Sequence, residues 1–374
     1  MRQRRKKEKT TKYFDYTLLF LIIFLLGFGL VMLYSVSAYE AQSEFGDAAY
    51  YLRHQARNIV IGLILMFIVA RIPYGFWKRV GVPVYLIAIA LCFAVILVGS
   101  DANGSTRWLR IGSISFQPSE LAKIAVIIFL AMLLSRIPKK ITQLRTILAV
   151  LLCAVPVIAV IAYSNLSTAI IVAGICVLMM FVASPKYSHF LVLALLLVAA
   201  AGIFILTQSY RSGRIMAWLH PEEYPDEAYQ TLQGLYAIGS GGLFGKGLGA
   251  SIQKLSYVPE AQNDFIFSII CEELGLFGAI CVILLFVLMI WRFMVIANNS
   301  SDLFGALLVV GVMSHISLQV ILNLAVVTNS MPNTGVILPF ISYGGSSMIF
   351  LLAEMGLALS VSRGIHLDEE YPMA

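Results

Sequence analysis

The feature that most constrains this chain is a succession of long, nearly uncharged apolar runs, the first being YTLLFLIIFLLGFGLVMLY at Tyr16–Tyr34. A bilayer core takes ~20 such residues as a helix, because backbone N–H and C=O groups in lipid must be satisfied within the segment. The runs are continuous rather than alternating, which argues against a closed β-barrel. Ten spans fit: Tyr16–Tyr34, Asn58–Ala70, Val82–Val98, Leu121–Leu134, Ile147–Tyr163, Thr168–Ala183, His189–Thr207, Phe265–Trp291, Leu303–Val327 and Ser346–Ser360. The second and fourth are short and are expected to extend into their flanks. With 60% hydrophobic residues, 12% charged and a mean hydropathy of +0.88, no soluble domain could hide so much apolar side chain. The expected fold is an all-α polytopic membrane protein with about ten transmembrane helices. An even count puts both termini on one side.

Charge gives the orientation. Much of the net charge of +6 lies in MRQRRKKEKTTK, which carries seven Lys/Arg. Beside a first span this reads as a cytoplasmic anchor facing anionic membrane lipids, rather than a nucleic-acid-binding tail. It is not a cleavable signal either, since the apolar core is too long and no small-residue cleavage site follows. The inner loops then carry Arg71, Lys78 and Arg79; Arg136, Lys139, Lys140 and Arg145; Lys186; and Arg292. Residues 1–15 and 364–374 read as cytoplasmic tails, and 16–363 as one transmembrane domain with a large outer loop at 208–263. The outer segment Ser35–Arg57 is a loop of mixed charge with Glu40, Glu44 and Asp47. Two outer segments break the positive-inside rule with Arg107/Arg110 and Arg211/Arg214, and basic groups there need an anionic partner. Cys92, Cys153, Cys176, Cys271 and Cys281 lie in apolar runs without metal-ligand spacing and read as small core residues.

Several stretches carry chemistry. In Phe116-Gln-Pro-Ser-Glu-Leu-Ala-Lys123, Pro118 fits a first helical turn, and Glu120 and Lys123 share one face. They form either an internal ion pair that positions a helix or part of a functional site, as ionisable groups in a membrane often do. Arg107 offers a guanidinium for phosphate, and Trp108 either a flat apolar face for sugar or lipid or an interfacial anchor. Tyr210–Pro221 has the mixture of an interfacial helix, and Glu222–Glu227 that of a solvated acidic turn. The glycine-rich run Gly239–Gly249 fits neither usual phosphate-loop pattern; it is a tightly turning re-entrant segment, or one whose N–H groups and Lys246 cradle a diphosphate. Asp264 begins the eighth span as an N-cap carboxylate that can also accept a proton. Ser268 and Glu272 continue its face into the membrane, while Glu273 and Glu354 need burial against protein. His315, Gln319 and Asn323 form a stripe expected to hydrogen-bond between helices. The last outer loop, Asn329–Ser347, has too many Pro, Gly and Ser for helix and is expected to line a cavity.

Taken together, FQPSELAK, AIGSGGLFGKGLG, PEAQNDFIF with EELG, and LPFISYGGSS resemble the SEDS family (shape, elongation, division and sporulation) in order and spacing across essentially the whole chain. The resemblance implies a ten-helix peptidoglycan glycosyltransferase that polymerises lipid II on the outer face of the cytoplasmic membrane, partnered by a class B penicillin-binding protein that crosslinks. It makes Asp264 the essential aspartate, and it places Arg107, Trp108, Glu120 and Lys123 in the same cavity. Arg211, Arg214 and Lys246 join Arg107 and Lys123 as candidate diphosphate partners. A divalent cation would help with the diphosphate, though no ligand cluster in the sequence specifies one. Two departures stand out: Gln262-Asn263-Asp264 replaces a His-Thr-Asp sequence, and Ser164-Asn165-Leu166-Ser167-Thr168 replaces Pro-Asp-Leu-Gly-Thr. GLGASIQKLSYVPEAQ is closer to the division and sporulation branch than to the elongation branch. A flippase for lipid-linked precursors and a scaffold that recruits a transpeptidase stay open as rival functions.

Overall fold

The computed structural model describes residues 11–102, 105–111, 114–138, 143–184 and 209–367, with a few isolated positions between 186 and 202. Among them, β1 (Thr11–Lys12) precedes α1 (Tyr16–Phe45), α2 (Tyr50–Arg71) and α3 (Gly75–Val98). Strands β2 (Ser100–Ala102), β3 (Ser105–Ile111) and β4 (Ile114–Phe116) lead into α4 (Pro118–Arg136), α5 (Leu144–Ser164) and α6 (Leu166–Ala183). After the expected seventh span His189–Thr207, which apart from those isolated positions lies outside the described residues, come α7 (Ser209–Leu219), α8 (Pro225–Ser240), α9 (Ile266–Asn298), α10 (Leu303–Val327), α11 (Ser346–Ser362) and β5 (His366–Leu367). Eight of these helices, α1 to α6 with α9 and α10, are long and apolar enough to cross a membrane. The 17-residue α11 is apolar but shorter.

Local chemistry sets the helix ends. Asp15 caps α1 by accepting the Leu18 N–H at 2.8 Å, and Asp302 caps α10 by accepting Gly305 N–H at 2.8 Å. Asn165 caps α6, its side chain accepting Thr168 N–H at 3.1 Å. Pro118 opens α4 at the position where its missing N–H costs nothing. The outer segment Ser35–Arg57, expected as a loop, is mostly helix. Helix α1 runs on to Phe45 and the chain turns at Gly46, whose φ of 69° is left-handed.

Helices α4 and α10 are central, with 72% and 67% of their apolar windows buried. Helix α4 packs on α3, α6 and α10, and α10 also packs on α9 and α6. The closest pairing joins the second helix to the last, through glycines on both. A β-carbon at Gly62 would lie 2.6 Å from Leu352 Cδ1, and one at Gly356 would lie 2.6 Å from Met66 O. At the opposite end of α1 from Gly46, β1 pairs antiparallel with β5, Thr11 opposite Leu367. Arg292 of α9 locks this corner, donating at 2.6 Å to both Tyr13 Oη and Asp15 Oδ2. Both ends of the described chain therefore meet on one side of the bundle.

The three-stranded antiparallel sheet, order β2-β3-β4, was not expected from the sequence. The longest strand, Ser-Thr-Arg-Trp-Leu-Arg-Ile, has no strict polar/apolar alternation and is too brief to stand out among helical runs.

Candidate functional site

Two loops fold back into the bundle on the side away from the termini, and their sequences explain how. Helix α9 is broken at Gly275 (φ 67°, ψ −168°), which frees the carbonyls of Glu272 and Glu273 from the helical ladder. The glycine-rich segment after α8 takes them up. Lys246 N–H donates to Glu272 O at 2.9 Å and Gly247 N–H to Glu273 O at 3.0 Å, while Leu276 and Phe277 N–H return to Gly242 O and Leu243 O. A β-carbon at Gly241, Gly245 or Gly275 would collide with the facing backbone. These glycines serve close approach of two main chains.

The side chains below complete the latch. Lys246 Nζ lies 2.6 Å from Glu272 Oε1, and Glu272 also accepts Ser251 Oγ–H and the N–H groups of Ile252 and Gln253. Lys254 Nζ lies 2.7 Å from Glu273 Oε1, and Ser35 Oγ donates to the same carboxylate at 2.7 Å. Glu272 and Glu273 are thus buried carboxylates with partners, as the membrane interior requires. The ammonium of Lys246 is held in this latch.

Asp264 sits where the end of this loop meets the second re-entrant loop, 329–345. The cap position of α9 is Phe265 rather than Asp264, and no side chain caps it. Asp264 is 7% exposed, and its carbonyl accepts Asn323 Nδ2–H at 2.8 Å. Across from it, Gly335 (φ 67°) brings the 329–345 backbone close: a β-carbon there would lie 4.0 Å from Asp264 Oδ2. The expected interhelical stripe on α10 turns out mainly to hold this loop. Asn323 donates to Val336 O at 2.8 Å and Gln319 to Ile337 O at 3.1 Å, and only His315 reaches another helix, at 2.7 Å from Glu354 Oε2.

Other elements on this side of the bundle are tied to the same junction. Gln230 of α8 donates to Pro259 O at 2.8 Å and accepts from Asn333 Nδ2 at 2.8 Å. Trp218 of α7 donates to Asn329 O at 2.9 Å. Gln262 donates to Glu40 at 3.2 Å, and its carbonyl accepts Tyr343 N–H. Burial pushes the Tyr343 phenol above its ordinary value, with nearby Tyr50 adding to the shift and Arg57 opposing it. Ser167 Oγ donates to Thr334 O at 2.7 Å, joining the start of α6 to the loop beside Asp264.

Arg107 and Trp108 lie next to each other on β3, so strand alternation sends them to opposite faces. Arg107 Nε donates to Ser164 O at 3.3 Å, beside the turn that carries Ser167. Glu120 and Lys123 pair at 3.0 Å, with Lys123 3% exposed. Glu120 lines a narrow cavity with His315, Gln319, Ser342 and Ser347, beneath the Asp264 junction along the α10 stripe. Arg211 and Arg214 lie on α7, and their side chains are outside the described residues. Among the described residues no three His, Cys, Asp or Glu side chains come together as a metal site. Nothing in the sequence marks Gln230 or Gly335, Gln262 stands out only as a departure from the family's pattern, and Asn323 stands out for a different partner.

The arrangement offers one buried carboxylate at a loop junction, with an arginine-bearing sheet and an arginine-bearing helix attached around it. A carboxylate so placed can accept a proton, and an arginine can offset negative charge.

Comparison with known proteins agrees in extent. A family model described as "Cell cycle protein" (FTSW_RODA_SPOVE) matches residues 16–366. "Stage V sporulation protein E" of Bacillus subtilis (strain 168) is 40% identical over 354 residues, 93% of this chain and 97% of the relative. The "Probable peptidoglycan glycosyltransferase FtsW" of Geobacter sp. (strain M18) is 35% identical, over 93% of this chain and 96% of its own. Among solved structures, a chain from "Structural coordination of polymerization and crosslinking by a peptidoglycan synthase complex" superposes with a TM-score of 0.78 at 27% identity, over 94% of this chain and 98% of its own. The Thermus thermophilus "Rod shape determining protein RodA" crystal structure gives 0.68 at 27% identity, over 95% and 98%.

Proposed function

This multi-pass membrane protein belongs to the SEDS family of FtsW, RodA and SpoVE proteins, and from that premise we propose that it is a peptidoglycan glycosyltransferase polymerising lipid II, with Asp264 as general base. Asp264 takes the proton from the acceptor's sugar hydroxyl, whose oxygen attacks C1 of the donor sugar with inversion, and undecaprenyl diphosphate leaves with the bonding electron pair. Cations offset the charge that develops on the diphosphate. Arg107 is one candidate, and Arg211 and Arg214 of α7 are others. Lys123 and Lys246, which pair with Glu120 and Glu272, are candidates too, each carboxylate holding its ammonium in place. The reaction runs on the extracytoplasmic face, and a class B penicillin-binding protein crosslinks the product.

The observation that carries this reading is the placement of Asp264, buried where two re-entrant loops meet, with α6, α7, α8 and α10 tied to those loops. A scaffold has no need of that placement. Incubating the purified protein, alone and with its class B partner, with lipid II and resolving the products on a gel tests it. Long glycan strands from the wild type and none from Asp264→Asn are expected. Strands of wild-type length and yield from Asp264→Asn would remove Asp264 as base. Movement of lipid II across liposomes without any strands would point to a flippase.

A further inference from the structure

We propose that Asn323 is the positioning residue for Asp264, an inference that rests on the assignment of Asp264 as base. Asn323 lies on α10, fully buried, and its amide nitrogen donates both hydrogens: one to Asp264 O and one to Val336 O, each at 2.8 Å. These two carbonyls belong to the two separate re-entrant loops. One amide group therefore sets the register between the residue that would take the proton and the backbone facing it, Gly335 included.

No other side chain type of this size does the same. The two acceptors are main-chain carbonyls in a water-poor interior, and each must be satisfied. An aspartate offers two oxygens to two oxygens. A leucine leaves both carbonyls unpaired. A serine or threonine has one hydrogen for two acceptors. Fixing the Asp264 carbonyl also fixes the ψ of Asp264, and with it the direction in which the following helix and the carboxylate leave the loop. The neighbouring stripe members do not touch Asp264. Gln319 holds Ile337 O and His315 holds Glu354 of α11, so loss of Gln319 would loosen the second loop, and loss of His315 the α10–α11 contact, without moving the base directly.

The test compares wild type, Asn323→Leu, Asn323→Gln and Asp264→Asn as full-length protein, with strand synthesis from lipid II measured per folded molecule across pH. Displacement of a reacting group by about 1 Å costs on the order of 10²-fold in rate, so Asn323→Leu is expected to lower kcat by about that factor while KM changes little. Its acid limb, which reports the base, is expected to move. Asn323→Gln, which keeps both donors on a longer arm, is expected to recover part of kcat. If Asn323→Leu does not accumulate as folded protein, Asn323→Ser, which keeps one donor for the two carbonyls, takes its place in the kcat and KM comparison. Wild-type kcat and an unmoved acid limb in folded Asn323→Leu overturn the proposal. So does a fall in thermal stability with the pH profile unchanged, which marks a purely structural role. Loss of activity in Asp264→Asn together with wild-type behaviour at position 323 overturns this inference alone. Retained activity in Asp264→Asn overturns the base assignment, and this inference with it.

Discussion

Gly335 shows how a single residue can constrain the proposed base, Asp264, without taking part in chemistry. Its φ of 67° is costly for any residue with a side chain, at roughly 1–2 kcal/mol, and a methyl group there would face the Asp264 carboxylate at 4.0 Å. Gly335→Ala is expected to lower thermal stability modestly and to reduce strand synthesis more than stability. A wild-type rate would show that the space between the loops is not used. Asn165 is a second case. The resemblance expects aspartate there, but the side chain's visible work is to accept Thr168 N–H as the α6 cap, which asparagine does as well as aspartate. Asn165→Asp should therefore be close to neutral in thermal unfolding, whereas Asn165→Ala should cost about 1 kcal/mol.

At the scale of elements, the paired breaks in α9 and the glycine-rich segment act as one joint. Gly275→Ala would drive a β-carbon into the backbone of Leu243 and Gly245, so the re-entrant segment is expected to leave its seat. Faster proteolysis between Leu243 and Lys254 in Gly275→Ala than in wild type is the measurable sign. Lys254→Met leaves Glu273 buried with only Ser35 and a backbone N–H, a loss expected to cost about 3–5 kcal/mol in unfolding experiments. Lys246→Met should cost less, because that side chain is 31% exposed and Glu272 keeps four other partners, Ser240, Ser251, Ile252 and Gln253. The spans were legible because lipid leaves a helix no alternative, and AIGSGGLFGKGLG was legible as a re-entrant turn. Its docking partner was not, since a non-helical glycine within EELG looks like any other helix glycine until the facing strand is seen. The sheet at Ser100–Phe116 was missed for want of length. The stripe of His315, Gln319 and Asn323 was seen, but its acceptors are backbone carbonyls of a distant loop, which carry no residue code.

For the whole molecule, the corner where the ends meet gives a pH signature. Burial, followed by the charge of Asp15, raises the Tyr13 phenol above its ordinary value of 10.0, while Arg292 opposes the shift. A raised folded value means that the neutral phenol stabilises the fold. Its contribution is complete below the ordinary tyrosine range and is lost as the pH climbs past the folded value. Thermal unfolding is therefore expected to steepen in its alkaline dependence for wild type, and Tyr13→Phe should flatten it. Equal slopes would detach this corner from stability.

The pairing of α2 with α11 also governs when the molecule can exist. The ribosome makes Gly62 long before it makes Leu352 and Gly356, so the inner face of the second helix waits in the membrane for the last one to arrive. During that interval the polar groups meant for protein neighbours, Gln55 toward Ser342 among them, have lipid, water or an assisting insertase for company. Nascent chains stopped before Ser346 should behave as unfinished work for quality control, however complete their first nine-tenths look.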